Sequence, residues 1–133
     1  MSRVFVDTSV LIRYFAGDDP PRALAAARLI DSEARLVLST GVLIELVHAL
    51  RSQHGMVSPA IGHALIRFLS RPNIELSDAS RGQVIAALMW SLSASARRIP
   101  DAVIAKAAEA AAVDYIATFD ERMSSPSVPV RLI

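Results

Sequence analysis

The sequence predicts an α/β fold: a single domain with a central, mostly parallel sheet of about five strands flanked by helices. Three observations carry this. Short apolar runs of four or five residues recur along the chain as "RVFV", "RLVLS", "NIEL", "YIATF" and "PVRLI". Longer stretches with apolar residues at helical spacing separate them. No repeat, low-complexity run or linker divides residues 1–133, and the Gly and Pro residues punctuate the chain singly. Strands that alternate with helices pair in parallel, because a parallel pair needs a crossover connection, and such sheets are expected to be covered on both faces.

The elements follow in order. "RVFV" reads as a short buried strand and "SVLIRYF" as a helix that stops at the turn "AGDDPP". Pro21 opens a second helical stretch, "PRALAAARLID", since proline is tolerated where the first helical N–H has no partner. "RLVLS" is the next strand. In "GVLIELVHALRSQHG", Leu43, Leu46, Val47 and Leu50 fall at helical spacing, with Gly55 as the expected stop. Ser58 and Pro59 start a helix that runs to about Ser70. "NIEL" is a weak strand, "SRGQVIAALMWSLSAS" and "PDAVIAKAAEAAAV" are helices, "YIATF" is a strand, and "PVRLI" supplies the last one.

Composition narrows the function classes. Hydrophobic residues make up 53% of the chain and aromatics 5%, so the core is aliphatic and Ala-rich; neither disorder nor coiled coil is expected. At 133 residues the chain buries roughly two thirds of the surface its unfolded form exposes. The segment before Asp7 is too short for a signal peptide, and runs such as "VIAALMW" fall far short of the ~20 residues of a membrane span, so a soluble protein is expected. The absence of cysteine excludes disulfides, thiol catalysis and zinc–thiolate sites, and is compatible with a reducing cytosol. Net charge is +1, from 14 basic and 13 acidic residues, and Lys106 is the sole lysine. The five scattered glycines form no phosphate loop, which argues against a nucleotide cofactor.

The acids are more informative. Asp7 follows the first strand and Asp120 closes "YIATF", so both fall at strand C-terminal ends, where open α/β sheets bind ligands. Asp101 stands at the start of a helix, and Glu45 lies on the helix that follows the second strand. Taken singly, Asp7 and Asp101 are good helix caps and Asp120 an ordinary turn residue. Glu45 is flanked by apolar residues in "VLIELV", where an unpartnered buried carboxylate would cost several kcal/mol; a salt bridge to Arg51 or another arginine is the alternative. Four converging carboxylates would repel by roughly 3 kcal/mol for each pair ~5 Å apart at an effective dielectric of 20. A hard divalent cation with oxygen ligands, Mg²⁺ or Mn²⁺, answers that repulsion and activates water toward phosphoryl groups. Without these four acids the chain holds 14 basic against 9 acidic residues, a balance that attracts a polyanion.

"VFVDTSVLI", "ELVHALR" and "PDAVIAKAAEAAAVDYIATFD" together resemble the PIN-domain ribonucleases, and most of all the toxin component of VapBC-type toxin–antitoxin pairs. The resemblance spans nearly the whole chain. It implies that Asp7, Glu45, Asp101 and Asp120 bind Mg²⁺ or Mn²⁺ and support RNA hydrolysis, with Asp7 and Asp101 as the first choices for direct ligands. It implies that Ser9 and Thr118 are auxiliary polar residues. It also implies a homodimer and a small antitoxin protein that covers the cleft. Arg97 and Arg98, beside Asp101, are candidates for RNA phosphates, with a solvated surface pair as the alternative. "RRIP" stands upstream of Asp101 where many relatives carry an aromatic residue or a further acid.

Two other readings stand beside this one. A haloacid-dehalogenase-type phosphohydrolase also begins with an apolar strand ending in Asp, but needs a second acid where Ser9 stands. A non-catalytic PIN-like interaction module would keep the fold without the chemistry. Glu45 and His48 make a single Glu-x-x-His, but a di-iron site needs two copies on a helical bundle, so His48 reads as a packed helix residue.

Overall fold

In the computed structural model, which describes residues 2–94 and 97–133, strand and helix alternate as the sequence predicts. The order is β1 (Arg3–Phe5), α1 (Thr8–Ala16), α2 (Pro20–Ile30), β2 (Arg35–Leu38), α3 (Thr40–Ser52), α4 (Ser58–Leu69), β3 (Ile74–Leu76), α5 (Arg81–Leu92), α6 (Ile99–Ala110), β4 (Ile116–Thr118) and β5 (Val130–Leu132). The helix starts are chemically marked. Asp7, Asp19, Ser39 and Ser80 each accept a bond from a backbone N–H of the first turn of α1, α2, α3 and α5. Helix α1 ends at Gly17, whose φ of 66° is the left-handed conformation that a side chain disfavours. Helix α3 ends at Ser52, before the expected stop, and Gly55 supplies a positive-φ turn beyond it. The expected end of α5 near Ser95 lies outside the described residues.

All strand pairings are parallel among the described residues, but the strands form two sheets: β1-β2-β3 and β4-β5. A single sheet of about five strands is thus replaced by three strands plus two. An apolar run signals a strand without naming its neighbour. Here β4 is satisfied along β5, with Ile116 N–H donating to Pro129 O at 2.8 Å, while Phe119 beside it stays 81% exposed.

The core lies on one face of the larger sheet. Val4 and Val6 of the β1 segment, Leu36, Leu38 and Ile74 face the helices, where they meet Leu11, Leu46, Leu50, Leu65, Leu69 and Leu88. Phe15 packs edge to face with both Tyr14 and Phe68 at its margin. The other face presents Arg3, Phe5 and Arg35 to solvent, with Glu75 held between the two arginines, and buries Val37 of the central strand. No helix among the described residues is long and apolar enough to cross a membrane.

Candidate functional site

The C-terminal ends of the strands carry a regular feature. Two residues past the last residue of β1, β2, β3 and β4 stand Asp7, Thr40, Asp78 and Asp120. In the three-stranded sheet the parallel pairing puts Asp7, Thr40 and Asp78 along one edge. Asp78 was not among the sequence candidates. Its signal is its placement, the same step beyond β3 that Asp7 takes beyond β1.

Asp7 is exposed, and it caps α1. Its Oδ2 accepts the Ser9 hydroxyl at 2.6 Å and the Ser9 backbone N–H at 3.2 Å. The Ser9 hydroxyl above all, then its N–H, lowers the Asp7 carboxyl below the ordinary aspartate value. The helix-cap reading and the site reading thus describe one arrangement, in which Ser9 orients the carboxylate. Beside Ser9 a groove of about 370 Å³ opens between α1 and α2, lined by Arg13 and Arg22 together with Val10, Ala26 and Leu29.

Asp101 and Asp120 meet. They are far apart in sequence, yet one guanidinium joins them: Arg98 Nε donates to Asp101 Oδ2 at 2.9 Å, and Nη2 bridges that oxygen and Asp120 Oδ2. Asp120 is further held through Oδ1, which accepts the Arg122 N–H at 2.9 Å. Its own N–H donates to Thr118 Oγ1 at 3.0 Å, the local role that Thr118 plays. The Arg122 N–H first, and then Arg98, lower the Asp120 carboxyl; the bonds to Asp120 first, and then to Asp101, raise Arg98.

Glu45 differs from its expected environment. It lies on the exposed face of α3 with Gly41, His48 and Ser52, while Leu43, Leu46, Val47 and Leu50 are buried. The burial argument for Glu45 therefore fails: apolar neighbours in sequence point elsewhere when the period is 3.6. Among the described residues it forms no ion pair with Arg51. Of the two candidate RNA contacts, Arg98 is engaged as above. Arg97 lies over the Trp90 ring at 4.2 Å and donates to Ser93 Oγ at 2.6 Å, finishing α5.

The donor set has the chemistry of a hard cation site, all carboxylate oxygen, but its present arrangement does not fit one. Among the described residues no three His, Asp or Glu side chains are gathered closely enough to hold a metal ion. The cation that answers Asp101 and Asp120 is Arg98.

A search of curated proteins finds no relative that matches the chain. The PIN domain family model matches residues 4–128, from the strand that delivers Asp7 to beyond the strand that delivers Asp120, and the chain belongs to the PIN domain family.

Proposed function

We propose that this PIN domain is an endoribonuclease that hydrolyses RNA phosphodiesters, and that it serves as the toxin of a toxin–antitoxin pair. PIN domains are in general nucleases. The observation that carries the reading for this chain is the convergence of Asp101 and Asp120 on one cation. Two carboxylates from separate elements, brought to one point, attract positive charge, and a divalent ion with oxygen ligands is one cation that such a pair can serve.

In this reading Asp7, Glu45, Asp101 and Asp120 are the chemical groups, Ser9 orients Asp7, and Thr118 orients the turn at Asp120. Activity is expected to depend on Mg²⁺ or Mn²⁺. The groove beside Ser9 supports an RNA path through its apolar lining and its two arginines, although Arg13 is paired with Asp18 at 3.3 Å and Arg22 with Asp19 at 3.6 Å, pairs that phosphate oxygens would have to replace. A small antitoxin and a second copy of the chain complete the proposed assembly.

The test is cleavage of total cellular RNA by purified protein with Mg²⁺ or Mn²⁺, beside EDTA and an Asp7→Asn variant. Discrete fragments that vanish in both controls support the nuclease; no cutting by folded, partner-free protein refutes it. The second reading, an interaction module without catalysis, is favoured by the engagement of Arg98 with the acids. It predicts that Asp7→Ala leaves any growth arrest intact.

A further inference from the structure

We propose that Phe5 and Phe119 are base-stacking residues, each taking the face of an unpaired base in a single strand of RNA beside the acid that follows it. The inference rests on the ribonuclease reading above and gives that reading its contacts to bases.

The four phenylalanines of the chain fall into two pairs. Phe15 and Phe68 pack against each other at the margin of the core, with ring centroids 5.5 Å apart. Phe5 and Phe119 are bare, at 58% and 81% exposure. Each stands at the C-terminal end of a strand and just before an acid: Phe5 closes β1 two residues ahead of Asp7, and Phe119 follows β4 one residue ahead of Asp120. A single exposed ring needs no explanation. Two rings, both set beside a carboxylate of the candidate site, point to a ligand with flat apolar faces, and an unpaired base offers one whatever its sequence.

The charge around Phe5 suits a polyanion. Exposure alternates along the first strand, so that Arg3, Phe5 and Asp7 are exposed while Val4 and Val6 turn to the core. Arg35 stands in register with Arg3, and both hold Glu75, through Arg3 Nε at 2.8 Å and Arg35 Nη2 at 3.1 Å. One carboxylate against two guanidinium groups leaves net positive charge, and guanidinium forks suit phosphate oxygens. Outward residues repeat every 6–7 Å or so along a strand, roughly. A backbone held at Arg3 and Arg35, with a base on Phe5, therefore runs on toward Asp7. Beside Phe119, the exposed Arg122 side chain lies 3.8 Å from Asp120, within reach of a phosphate on that side.

The experiment is fluorescence anisotropy of a labelled single-stranded RNA, in EDTA so that no strand is cut, with wild type, Phe5→Ala, Phe5→Trp, Phe119→Ala and Phe119→Trp, beside thermal unfolding of each. Each alanine variant is expected to bind about tenfold more weakly, with its melting temperature little changed because the ring is exposed. Each tryptophan variant should keep the affinity, and RNA should quench the fluorescence that it adds to that of Trp90. A duplex of the same sequence should bind wild type and alanine variants alike, since its bases are already stacked. Equal binding of the single strand by wild type and the alanine variants overturns the stacking role and leaves the nuclease reading standing. If an alanine variant does not fold, quenching of the tryptophan at that position decides: its absence overturns the inference. Loss of self-association in the alanine variants, with RNA binding unchanged, assigns the rings to a second copy of the chain and overturns it too. If wild type binds no single strand, the inference falls, while the nuclease reading is judged by the cleavage test above.

Discussion

Asp78 accepts both the hydroxyl of Thr40, at 2.6 Å, and its backbone N–H, at 3.0 Å, and so fastens the end of β3 to the first residue of α3. A carboxylate at a helix N-terminus satisfies an orphan N–H and opposes the helix dipole. Asp78→Ala is expected to lower stability by about 1 kcal/mol. Thr40→Val removes only the hydroxyl bond, and a double-mutant cycle read by urea unfolding should show the two changes to be non-additive. Strict additivity would show that the bonds do not form.

Arg81 does unusual work for the first residue of a helix. Its Nη1 donates to the carbonyls of Leu69, at 3.3 Å, and Arg71, at 2.6 Å, closing the C-terminal end of α4. Arg81→Met keeps the aliphatic stem but takes the guanidinium from both carbonyls, leaving Arg71 O with the longer bond from the Ile74 N–H at 3.3 Å, and should cost about 1–2 kcal/mol. An unchanged urea midpoint would mean that water replaces the guanidinium at no cost.

Helices α4 and α5 approach closely at Gly62. A Cβ there would lie 3.1 Å from Leu92 Cδ2 and 3.2 Å from Leu92 Cγ. Gly62→Ala should be near neutral, because its gain of about 1 kcal/mol in helix propensity offsets the push on Leu92. Gly62→Leu should destabilise by about 1–3 kcal/mol through overpacking, measured as a lower melting temperature. Tolerance of leucine would show that the two helices separate easily.

Acid should weaken the fold through identifiable groups. The Ser9 hydroxyl lowers Asp7, the Arg122 N–H and Arg98 lower Asp120, and Arg3 and Arg35 lower Glu75. A carboxyl whose folded value lies below its unfolded value contributes stability above the unfolded value, and that stability is lost as pH falls through the folded one. The melting temperature should therefore fall as pH drops from about 5 toward 2. Ser9→Ala should bring the Asp7 titration, followed by carboxyl NMR, up toward the ordinary aspartate range. A titration identical to wild type would show that the Ser9–Asp7 bond is absent in solution.

Most element boundaries were legible because the chain marks them chemically. Asp7, Asp19, Ser39 and Ser80 begin helices as capping chemistry requires, and every predicted apolar run became a strand. Two things were hidden. The partition into three and two strands depends on which backbone edges meet, and an apolar run carries no address. The partner of Arg98 was hidden too, since its pairing with Asp120 depends on where β4 lies, although Asp101, three residues on, was within reach of a helix-surface argument. Glu45 is the instructive case. The stripe Gly41, Glu45, His48 and Ser52 was already present in the sequence at helical spacing, and reading the flanking residues in place of the period put the carboxylate on the wrong side.

The uniformly parallel pairing has a further consequence for how the chain reaches its structure. β1 meets β2 only across α1 and α2, and β2 meets β3 only across α3 and α4. No such pair can zip up from a tight turn; each requires closure of a long loop before any ladder bond rewards it. The helical neighbours α5 and α6, close in sequence, face a far smaller closure entropy. Folding speed should then be governed by the meeting of β1, β2 and β3, and mutations that loosen their register should slow refolding more than they speed unfolding.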